Sequence, residues 1–424
     1  MKTFRIASLP ITFALLALAG CGSSHLPGLA PAAGSSQAQR LGEAARGSER
    51  VLYSFTGYSD GGNAATGLVL DSAGNLYGTT VVGGSANCGT VFKLAPRSSP
   101  PWTESVLFSF DCYGTGKNPH GGVTFDRAGN LDGTTVNGGG GGSCGSSGCG
   151  VVFQVSGSNE QPLYSFRGGN DGFGPGSPVT IGAKDVVYGT APDGGADSQG
   201  VVYAVSRKHG NWHQSVLHPF TGGSDGGTGS LGALLLLSGD LYGVAETGGA
   251  HGAGTAYRLS PAGGGAWKFT PLYQFKGAPD AGSPYGGLIA DASGNLYGTT
   301  YYGGANNLGS VFELSPAKRG RYHERVLYSF KGGRDGSSPT STLTFGAKGV
   351  LYGTASAGGG SCGCGTIFKL NVTTGKEKTL HRFGNGADGA NPYYGLARDP
   401  SGNFYGATVA GGSANQGVVF EYTP

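Results

Sequence analysis

Residues 67–94 read GLVLDSAGNLYGTTVVGGSANCGTVFKL, and the pattern within them decides the fold. Runs of β-branched, aliphatic and aromatic residues alternate with glycine-containing turns, which is typical of short β-strands. The segment DSAG at 71–74 places aspartate first and glycine fourth, which suits a type I turn with its glycine in the left-handed region. With one further run, the sequence predicts four antiparallel strands, named A to D in chain order: 67–70, 76–80, 90–94 and 105–110.

This unit repeats along the chain from residue 51 onward. The phenylalanine that ends strand D recurs at spacings of 55, 56, 54, 55, 55 and 53 residues: Phe55, Phe110, Phe166, Phe220, Phe275, Phe330 and Phe383. The glycine of the YGT motif in strand B recurs at the same spacings: Gly78, Gly133, Gly189, Gly243, Gly298, Gly353 and Gly406. Four strands at a period of roughly 50 residues are typical of a propeller blade. The sequence therefore predicts an all-β, seven-bladed β-propeller over 51–424.

The order of strands within the repeat predicts how the ring closes. The repeated region begins with a D strand at 51–55 and ends with A, B and C strands within 395–422. We expect strand 51–55 to complete the seventh blade beside the C-terminal strand at 417–422, because pairing removes two exposed edges. The D-to-A and B-to-C connections then share one surface, called here the loop face. Rigid scaffolds commonly carry binding residues on such loops, so the loop face is the predicted binding surface.

Composition excludes several other classes of protein. Glycine accounts for 87 of 424 residues, about 21%, against roughly 7% in average proteins. Because glycine costs about 1 kcal/mol per helical position relative to alanine, a helix-rich fold is excluded. Lys+Arg 28 and Asp+Glu 25 give a net charge of +3, so no nucleic-acid partner is predicted.

The first 50 residues are predicted to be an export signal followed by a tether. A short basic segment precedes an apolar stretch at 11–19, and small residues then lead to Cys21. The ending LAGC resembles the bacterial lipobox, which implies a signal peptide over 1–20 and a lipid on Cys21 that anchors the protein to a membrane. A plain secretory signal is the alternative. Gly22 follows the cysteine, which favours the outer membrane or cell surface, and 21–50 has the composition of a flexible tether.

The repeated units read VLYSF, GNLYGTT and CGTVFKL in the first copy. They resemble the GloVer tandem repeat of bacterial exported proteins called choice-of-anchor, whose attachment signal varies between members. The resemblance covers all seven units over 51–424. It implies a surface or secreted repeat protein and no known activity, so no catalytic residue carries over. Asp132 departs from the pattern because it replaces the YGT tyrosine in the second unit.

Aspartates recur in the D-to-A loops: Asp60, Asp171, Asp225, Asp280, Asp335 and Asp388. A ring of carboxylates suggests calcium, but none of these loops has the closely spaced oxygen ligands of an EF-hand. An aspartate in a turn more often accepts hydrogen bonds from turn amides. We therefore interpret these aspartates as structural and expect no metal and no cofactor.

Polar residues that do not repeat are the candidates for chemistry on the loop face: His120, Asp193, Asp197, Glu246 and His251. Histidines with carboxylates can bind a metal or act as acid and base. On this hypothesis the protein is a hydrolase or lyase of extracellular polysaccharide, and at least three of these groups must converge on one pocket. Solvated loop residues are the simpler interpretation, so we predict no catalytic residues and favour a protein without enzymatic activity.

Tyrosines next to the glycine-containing loops are the candidates for binding: Tyr285, Tyr301, Tyr302, Tyr393 and Tyr394. Tyrosine combines a flat apolar ring with a polar tip, which suits stacking on sugars or peptide side chains. The alternative is that these rings cap the blade ends as part of the core. The leading hypothesis is a non-enzymatic module, anchored at the surface, that binds an extracellular glycan, peptide or partner protein.

Six cysteines follow Cys21, and an even number in an exported chain favours disulfides. Cys88 lies in a B-to-C loop and Cys112 in the D-to-A loop leaving the same blade, so we predict that they pair. Cys144 and Cys149 enclose CGSSGC and are candidates for a small closed loop. Cys362 and Cys364 are candidates for a strained, redox-labile bridge. Their spacing is poor for a zinc site.

Overall fold

The computed structural model describes residues 47–424 apart from 230, 231, 348 and 385. Within this part of the chain, seven antiparallel sheets are each ordered A-B-C-D, and A is the innermost strand. In blades 4 and 5 an additional short strand precedes A and also pairs with B. The predicted seven-bladed β-propeller is confirmed.

The strands follow one another regularly along the chain. In blade 1, A to D are Val69–Leu70, Leu76–Thr80, Thr90–Ala95 and Thr103–Ser109. In blade 2 they are Val123–Phe125, Leu131–Thr135, Val151–Ser156 and Asn159–Ser165. In blade 3 they are Thr180–Ile181, Val187–Ala191, Val201–Lys208 and Asn211–Pro219.

Blades 4 to 7 repeat the order. Blade 4 has Gly227–Gly229, then Leu235–Leu237, Asp240–Thr247, Thr255–Gly263 and Ala266–Gln274. Blade 5 has Ala281–Pro284, then Ile289–Ala290, Leu296–Gly303, Ser310–Pro316 and Tyr322–Ser329. Blade 6 has Thr344–Phe345, Val350–Ala355, Thr366–Asn371 and Glu377–Arg382, and blade 7 has Ala397–Arg398, Phe404–Ala407, Val418–Thr423 and Ser48–Ser54. Among the described residues, four single-turn 3-10 helices lie in the connections: Gly145–Ser147, Gly169–Asp171, Ala183–Asp185 and Lys318–Gly320.

The two ends of the repeated region close the ring as predicted. Strand Ser48–Ser54 pairs antiparallel with Val418–Thr423, and Val51 faces Phe420 in the register. Both strands differ from their predicted bounds by only a few residues. Leu52 on the N-terminal strand is fully buried, so the closing strand contributes to the core as well as to the ladder.

Strand A is shorter than predicted, because the chain leaves the ladder between two contacts with strand B. In blade 1, Gly62 forms a bridge with Val82, and pairing resumes only at Val69. We call the segment between these contacts the inner bulge. The residue after the first of these two contacts has a positive φ in every blade: Asn63, Asn118, Gly174, Thr228, Ser283, Ser338 and Asn391.

The inner bulges link each blade to the one before it. The same seven residues donate their backbone N–H to a carbonyl of the preceding B-to-C loop, at N–O distances of 2.7–3.0 Å. The accepting carbonyls belong to Gln416, Cys88, Cys149, Gln199, Ala253, Leu308 and Cys364. Hydrogen bonds therefore run around the whole ring at its inner rim, and they hold the bulge side chains in fixed positions.

Aromatic pairs between blades form the core. Each strand-D phenylalanine packs edge-on or tilted against an aromatic ring of the next blade's strand C, with ring centroids 5.0–5.5 Å apart. The strand-D phenylalanines are at most 1% exposed. The repeated aromatic residues therefore pack between blades.

Candidate functional site

The repeated aspartates stabilise the turns in which they lie. Asp335, for example, accepts hydrogen bonds from the Tyr328 hydroxyl at 2.7 Å and from the Lys331 amide at 3.1 Å. A tyrosine or histidine seven residues earlier contacts the aspartate in the same way in each of six loops. In the remaining loop both partners change together, to Phe108 and Thr115. The contacts are those that the structural interpretation predicts.

The non-repeated polar residues are spread over several blades. His120 lies in the inner bulge of blade 2, where burial lowers its pKa to about 4. Asp193, Asp197 and His251 are exposed on B-to-C loops. Glu246 is the penultimate residue of strand B of blade 4, and burial raises its pKa. Among the described residues, no group of three or more histidine, cysteine, aspartate or glutamate side chains is placed to hold a metal ion.

Four of the five predicted binding tyrosines come together with Glu246 at the inner rim of the loop face. Tyr285 lies in the inner bulge of blade 5, and its ring centroid is 6.0 Å from that of Tyr301 at the end of strand B. Tyr393 and Tyr394 lie in the inner bulge of blade 7. Burial raises the pKa of Tyr285 well above its ordinary value, and the negative charges that Tyr394, Glu246, Tyr393 and Tyr301 carry when ionised raise it further. We call Glu246, Tyr285, Tyr301, Tyr393 and Tyr394 the inner-rim cluster.

The fifth tyrosine, Tyr302, borders this cluster. Its ring meets the Tyr301 ring at 4.7 Å and 81°, and it is 51% exposed. Tyr393 is 39% exposed, whereas Tyr285, Tyr301 and Tyr394 are half-buried. The cluster therefore presents ring surface to solvent and is not sealed into the core.

Hydrogen bonds fix the backbone of the two tyrosine-bearing bulges, and those to the bulge of blade 7 come from blade 6. The Thr340 hydroxyl donates to the Tyr393 carbonyl at 2.7 Å, and the Thr354 hydroxyl donates to the Tyr394 carbonyl at 3.0 Å. The Tyr285 amide donates to the Thr299 carbonyl at 3.2 Å within blade 5. These bonds fix the backbone of the tyrosine-bearing segments in blades 5 and 7.

Comparison of the blades shows that the cluster is not required by the repeat. Glu246 and Tyr301 both stand three residues after the YGT-position glycine, where blades 1, 2 and 7 have valine: Val81, Val136 and Val409. Tyr285 and Tyr393 stand two residues after the positive-φ residue, where blade 1 has Ala65. Sequence reasoning grouped Glu246 with the histidines, although aligning the repeats would have placed it beside Tyr301.

Asp132 occupies the position of the YGT tyrosine in blade 2 and forms a hydrogen bond with the neighbouring strand. It is 1% exposed, and Gln154 Nε2 donates to it at 2.8 Å and to Asp126 at 3.1 Å. Burial, together with the charge of Asp126, raises the pKa of Asp132 to about 7 despite the Gln154 hydrogen bond. The pair Asp132–Gln154 therefore replaces the packing that tyrosine provides elsewhere.

The six described cysteines form three disulfides, each with a Cα–Cα distance of 5.3 Å: Cys88–Cys112, Cys144–Cys149 and Cys362–Cys364. All three pairings agree with the predictions. Each involves a B-to-C loop, so these bridges restrain the loop face.

Sequence reasoning missed a ring of carboxyl groups between the outer strands. Five glutamates stand six residues before a strand-D phenylalanine: Glu49, Glu104, Glu160, Glu324 and Glu377. Burial raises the pKa of each, and a neighbouring aspartate raises it further. The carboxyl group of Glu324 lies within hydrogen-bond reach of that of Asp280, so the two groups bond only while one of them holds a proton. Blade 3 has Gln214 at this position, and its Nε2 donates to the Asp171 carbonyl at 3.2 Å.

Replacement of Glu324 by glutamine is therefore expected to stabilise the protein at high pH. A carboxyl group whose folded-state pKa is raised contributes stability below its ordinary pKa near 4.5, and this is lost as pH rises through the folded-state pKa. Glu324→Gln should raise the free energy of unfolding by about 1–2 kcal/mol at pH 8 and have little effect at pH 5. Urea unfolding at both pH values measures the difference.

The chain offers the reverse substitution as a control. Gln214→Glu places a carboxyl group at the equivalent position and should destabilise the protein more at pH 8 than at pH 5. The lowered pKa values of His218 and His381 reduce stability as pH falls below about 6.5, but they do so in the parent and in both variants, so they cancel in the difference measured at each pH. An equal effect of Glu324→Gln at both pH values would contradict the prediction.

Two open depressions lie on the opposite face of the ring. One, at the C–D hairpin of blade 5, is lined by Pro316, Lys318 and His323 among others. The other lies between the A–B turns of blades 6 and 7, beside Arg398 and Phe404. Neither includes a candidate residue from the loop face, so the inner-rim cluster is defined by converging side chains and not by either depression.

The predicted signal peptide, the lipid site at Cys21 and most of the tether lie outside the described residues. In the part of the chain that is described, none of the helices has the length and apolar character needed to cross a bilayer.

The closed ring defines the protein as a seven-bladed β-propeller with an aromatic cluster at the inner rim. A family model described as the Gloeobacter/Verrucomicrobia repeat matches residues 140–362 and 319–424, and the chain belongs to this family. The repeat family expected from the sequence is thereby confirmed. No curated protein matches the chain.

Solved structures resemble the chain in fold. A fungal alcohol oxidase of the AA5 family in complex with copper is 12% identical, with a TM-score of 0.53, covering 89% of this chain and 76% of that one. A putative oxidoreductase (glucose dehydrogenase) from Thermus thermophilus is 14% identical, with a TM-score of 0.43, covering 71% of this chain and 95% of that one. At such identities the likeness to the alcohol oxidase concerns the propeller fold alone.

Proposed function

We propose that the protein is a non-enzymatic binding module, held at the outer membrane or cell surface through a lipid on Cys21, that recognises an extracellular glycan, peptide or partner protein. The observation that carries this proposal is the convergence of Tyr285, Tyr301, Tyr393 and Tyr394 at the inner rim. Partly exposed tyrosines held by a rigid backbone provide contact area at low entropic cost. Family membership and the propeller fold are consistent with a binding role.

The geometry gives less support to a polysaccharide hydrolase or lyase. That hypothesis requires three of the predicted polar groups to meet at one pocket. Glu246 instead neighbours Tyr285, and His251 is exposed on its loop. A tyrosine-lined rim next to one carboxyl group is better suited to holding a ligand than to paired acid–base chemistry.

Replacing cluster tyrosines by their blade 1 equivalents is expected to abolish binding while preserving the fold. Tyr301→Val reproduces Val81 and Tyr393→Ala reproduces Ala65, so both side chains are already accommodated by this repeat. Residues 47–424 form a compact unit with a closed ring and can be screened alone against glycan and peptide arrays. The double variant should bind any ligand found at least about tenfold more weakly, with a similar melting temperature.

The matched control is Tyr58→Ala, a tyrosine in a D-to-A loop that is 80% exposed and lies outside the cluster. It should leave affinity unchanged. If no ligand on the arrays requires Tyr301 or Tyr393 for binding, the proposed function is wrong.

A further inference from the structure

The inner-rim cluster combines aromatic rings with one carboxylate, that of Glu246. Among the described residues, no hydrogen bond or salt bridge engages the Glu246 side chain. The repeat does not require glutamate there, because the equivalent positions in blades 1, 2 and 7 are valine. A partly desolvated carboxylate without a partner favours a ligand that supplies a positive charge.

The rings of the inner-rim cluster are also available to a cation. Ring faces carry negative potential and attract ammonium groups. The protein's own cation–aromatic contacts use other rings, namely Tyr77, Trp212, Tyr328 and Phe404. In the described part of the chain, no lysine or arginine lies over a tyrosine of the inner-rim cluster.

Ring orientation indicates the shape of the cation. The Tyr285 and Tyr301 planes are inclined by 42°, and the bordering Tyr302 ring is inclined by 81° to Tyr301. A planar guanidinium is best held against parallel ring faces, whereas a rounded alkylammonium group can contact rings inclined to one another.

We propose that the inner-rim cluster binds an alkylammonium group of the ligand, with Glu246 providing the countercharge and Tyr285, Tyr301, Tyr393 and Tyr394 providing the ring faces. This inference rests on the proposed function and specifies the chemistry of its ligand. Two sources present such a group, namely a lysine side chain of a peptide and a quaternary ammonium of the choline type. A neutral sugar could stack on the same rings but would leave the carboxylate without a countercharge.

Titration of the purified full chain with small probes tests the inference. The probes are choline, Nα-acetyl-lysine amide, and a neutral isostere of each, 3,3-dimethylbutanol and Nα-acetyl-norleucine amide. At least one cation should bind about tenfold or more tightly than its isostere, and added salt should weaken it. The preferred cation then distinguishes the quaternary ammonium from the lysine source.

Three variants assign the effect to the cluster. Glu246→Gln should reduce the preference for cation over isostere about tenfold, and Tyr301→Val should weaken binding of the cation. Tyr58→Ala should change neither. Equal binding of cation and isostere, or an unaltered preference in Glu246→Gln, would overturn the inference.

The two proposals fail in distinguishable ways. If an array ligand depends on Tyr301 and Tyr393 but neither cation binds, the binding function stands and the ammonium inference is wrong. If no ligand and no cation depends on the cluster, both proposals are wrong.

Discussion

Removal of the N-terminal strand, residues 47–56, is expected to abolish cooperative folding of the propeller. The deletion removes the fully buried Leu52 and Phe55 and leaves strand Val418–Thr423 as an unpaired edge. The free energy contributed by burying two large apolar side chains and by the hydrogen bonds of one strand is comparable to the roughly 5–15 kcal/mol that stabilises a typical domain. Thermal unfolding followed by circular dichroism, with light scattering for aggregation, measures the loss.

A circular permutant separates the need for this strand from the need for an N-terminal position. Ser48 faces Thr423 in the register, so a short turn after the C-terminus can lead directly into the moved strand, as in the other C–D hairpins. The permutant should fold with a melting temperature close to that of the parent. A deletion variant that melts at the same temperature as the parent would contradict the importance assigned to ring closure. So would a permutant that, like the deletion variant, fails to fold.

Ring closure was predictable from the sequence because it depends only on the order of strands within a repeat. Two markers with identical spacings, such as Phe55 and Gly78 and their equivalents, fix seven units and their phase. A repeated region that begins with strand D and ends with strand C can complete its last blade by pairing these two strands. Inter-blade packing of the repeated aromatics follows from the same periodicity.

The inner bulge was not predictable in the same way. The run at 67–70 has the composition of a strand, yet only Val69–Leu70 pair with strand B. The cause is a tertiary one: the Asn63 amide bonds to Gln416 of the preceding blade, and this competes with regular pairing inside the blade. The β-strand propensity of a segment depends on that segment alone, and it is overridden where a neighbouring blade supplies the hydrogen-bond partner.

The candidate site was predictable in part for a related reason. Exposed tyrosines near glycine-containing loops could be selected one by one, and four of them do converge. The inclusion of Glu246 depended on knowing that blades 4, 5 and 7 meet at the inner rim. That proximity is a property of the closed ring, although the shared repeat position of Glu246 and Tyr301 was visible in the sequence.

Replacement of Phe312 by alanine is expected to destabilise the protein by about 3–5 kcal/mol. Phe312 is fully buried, and its ring meets that of Phe275 from the preceding blade at 5.0 Å. The YGT glycine of the same blade, Gly298, lies directly beneath it: a Cβ built there would be 2.5 Å from Phe312 Cζ. Gly298→Ala should therefore cost about 1–3 kcal/mol by overpacking, although the backbone φ at Gly298 imposes no need for glycine.

The two substitutions should compensate each other when combined. In the Phe312→Ala background the added methyl group of Gly298→Ala occupies space that the ring has vacated, so the double variant should be more stable than the sum of the single effects by about 1 kcal/mol or more. Urea unfolding with unchanged m-values measures all three variants. Gly114→Ala is the control, since its Cβ would be 3.9 Å from the nearest atom and should change stability by less than about 0.5 kcal/mol. If the free-energy changes of the two single variants are strictly additive in the double variant, contact with the Phe312 ring does not explain the glycine at position 298. The same test applies to Gly406 beneath Phe420, where the built Cβ is also 2.5 Å from the ring.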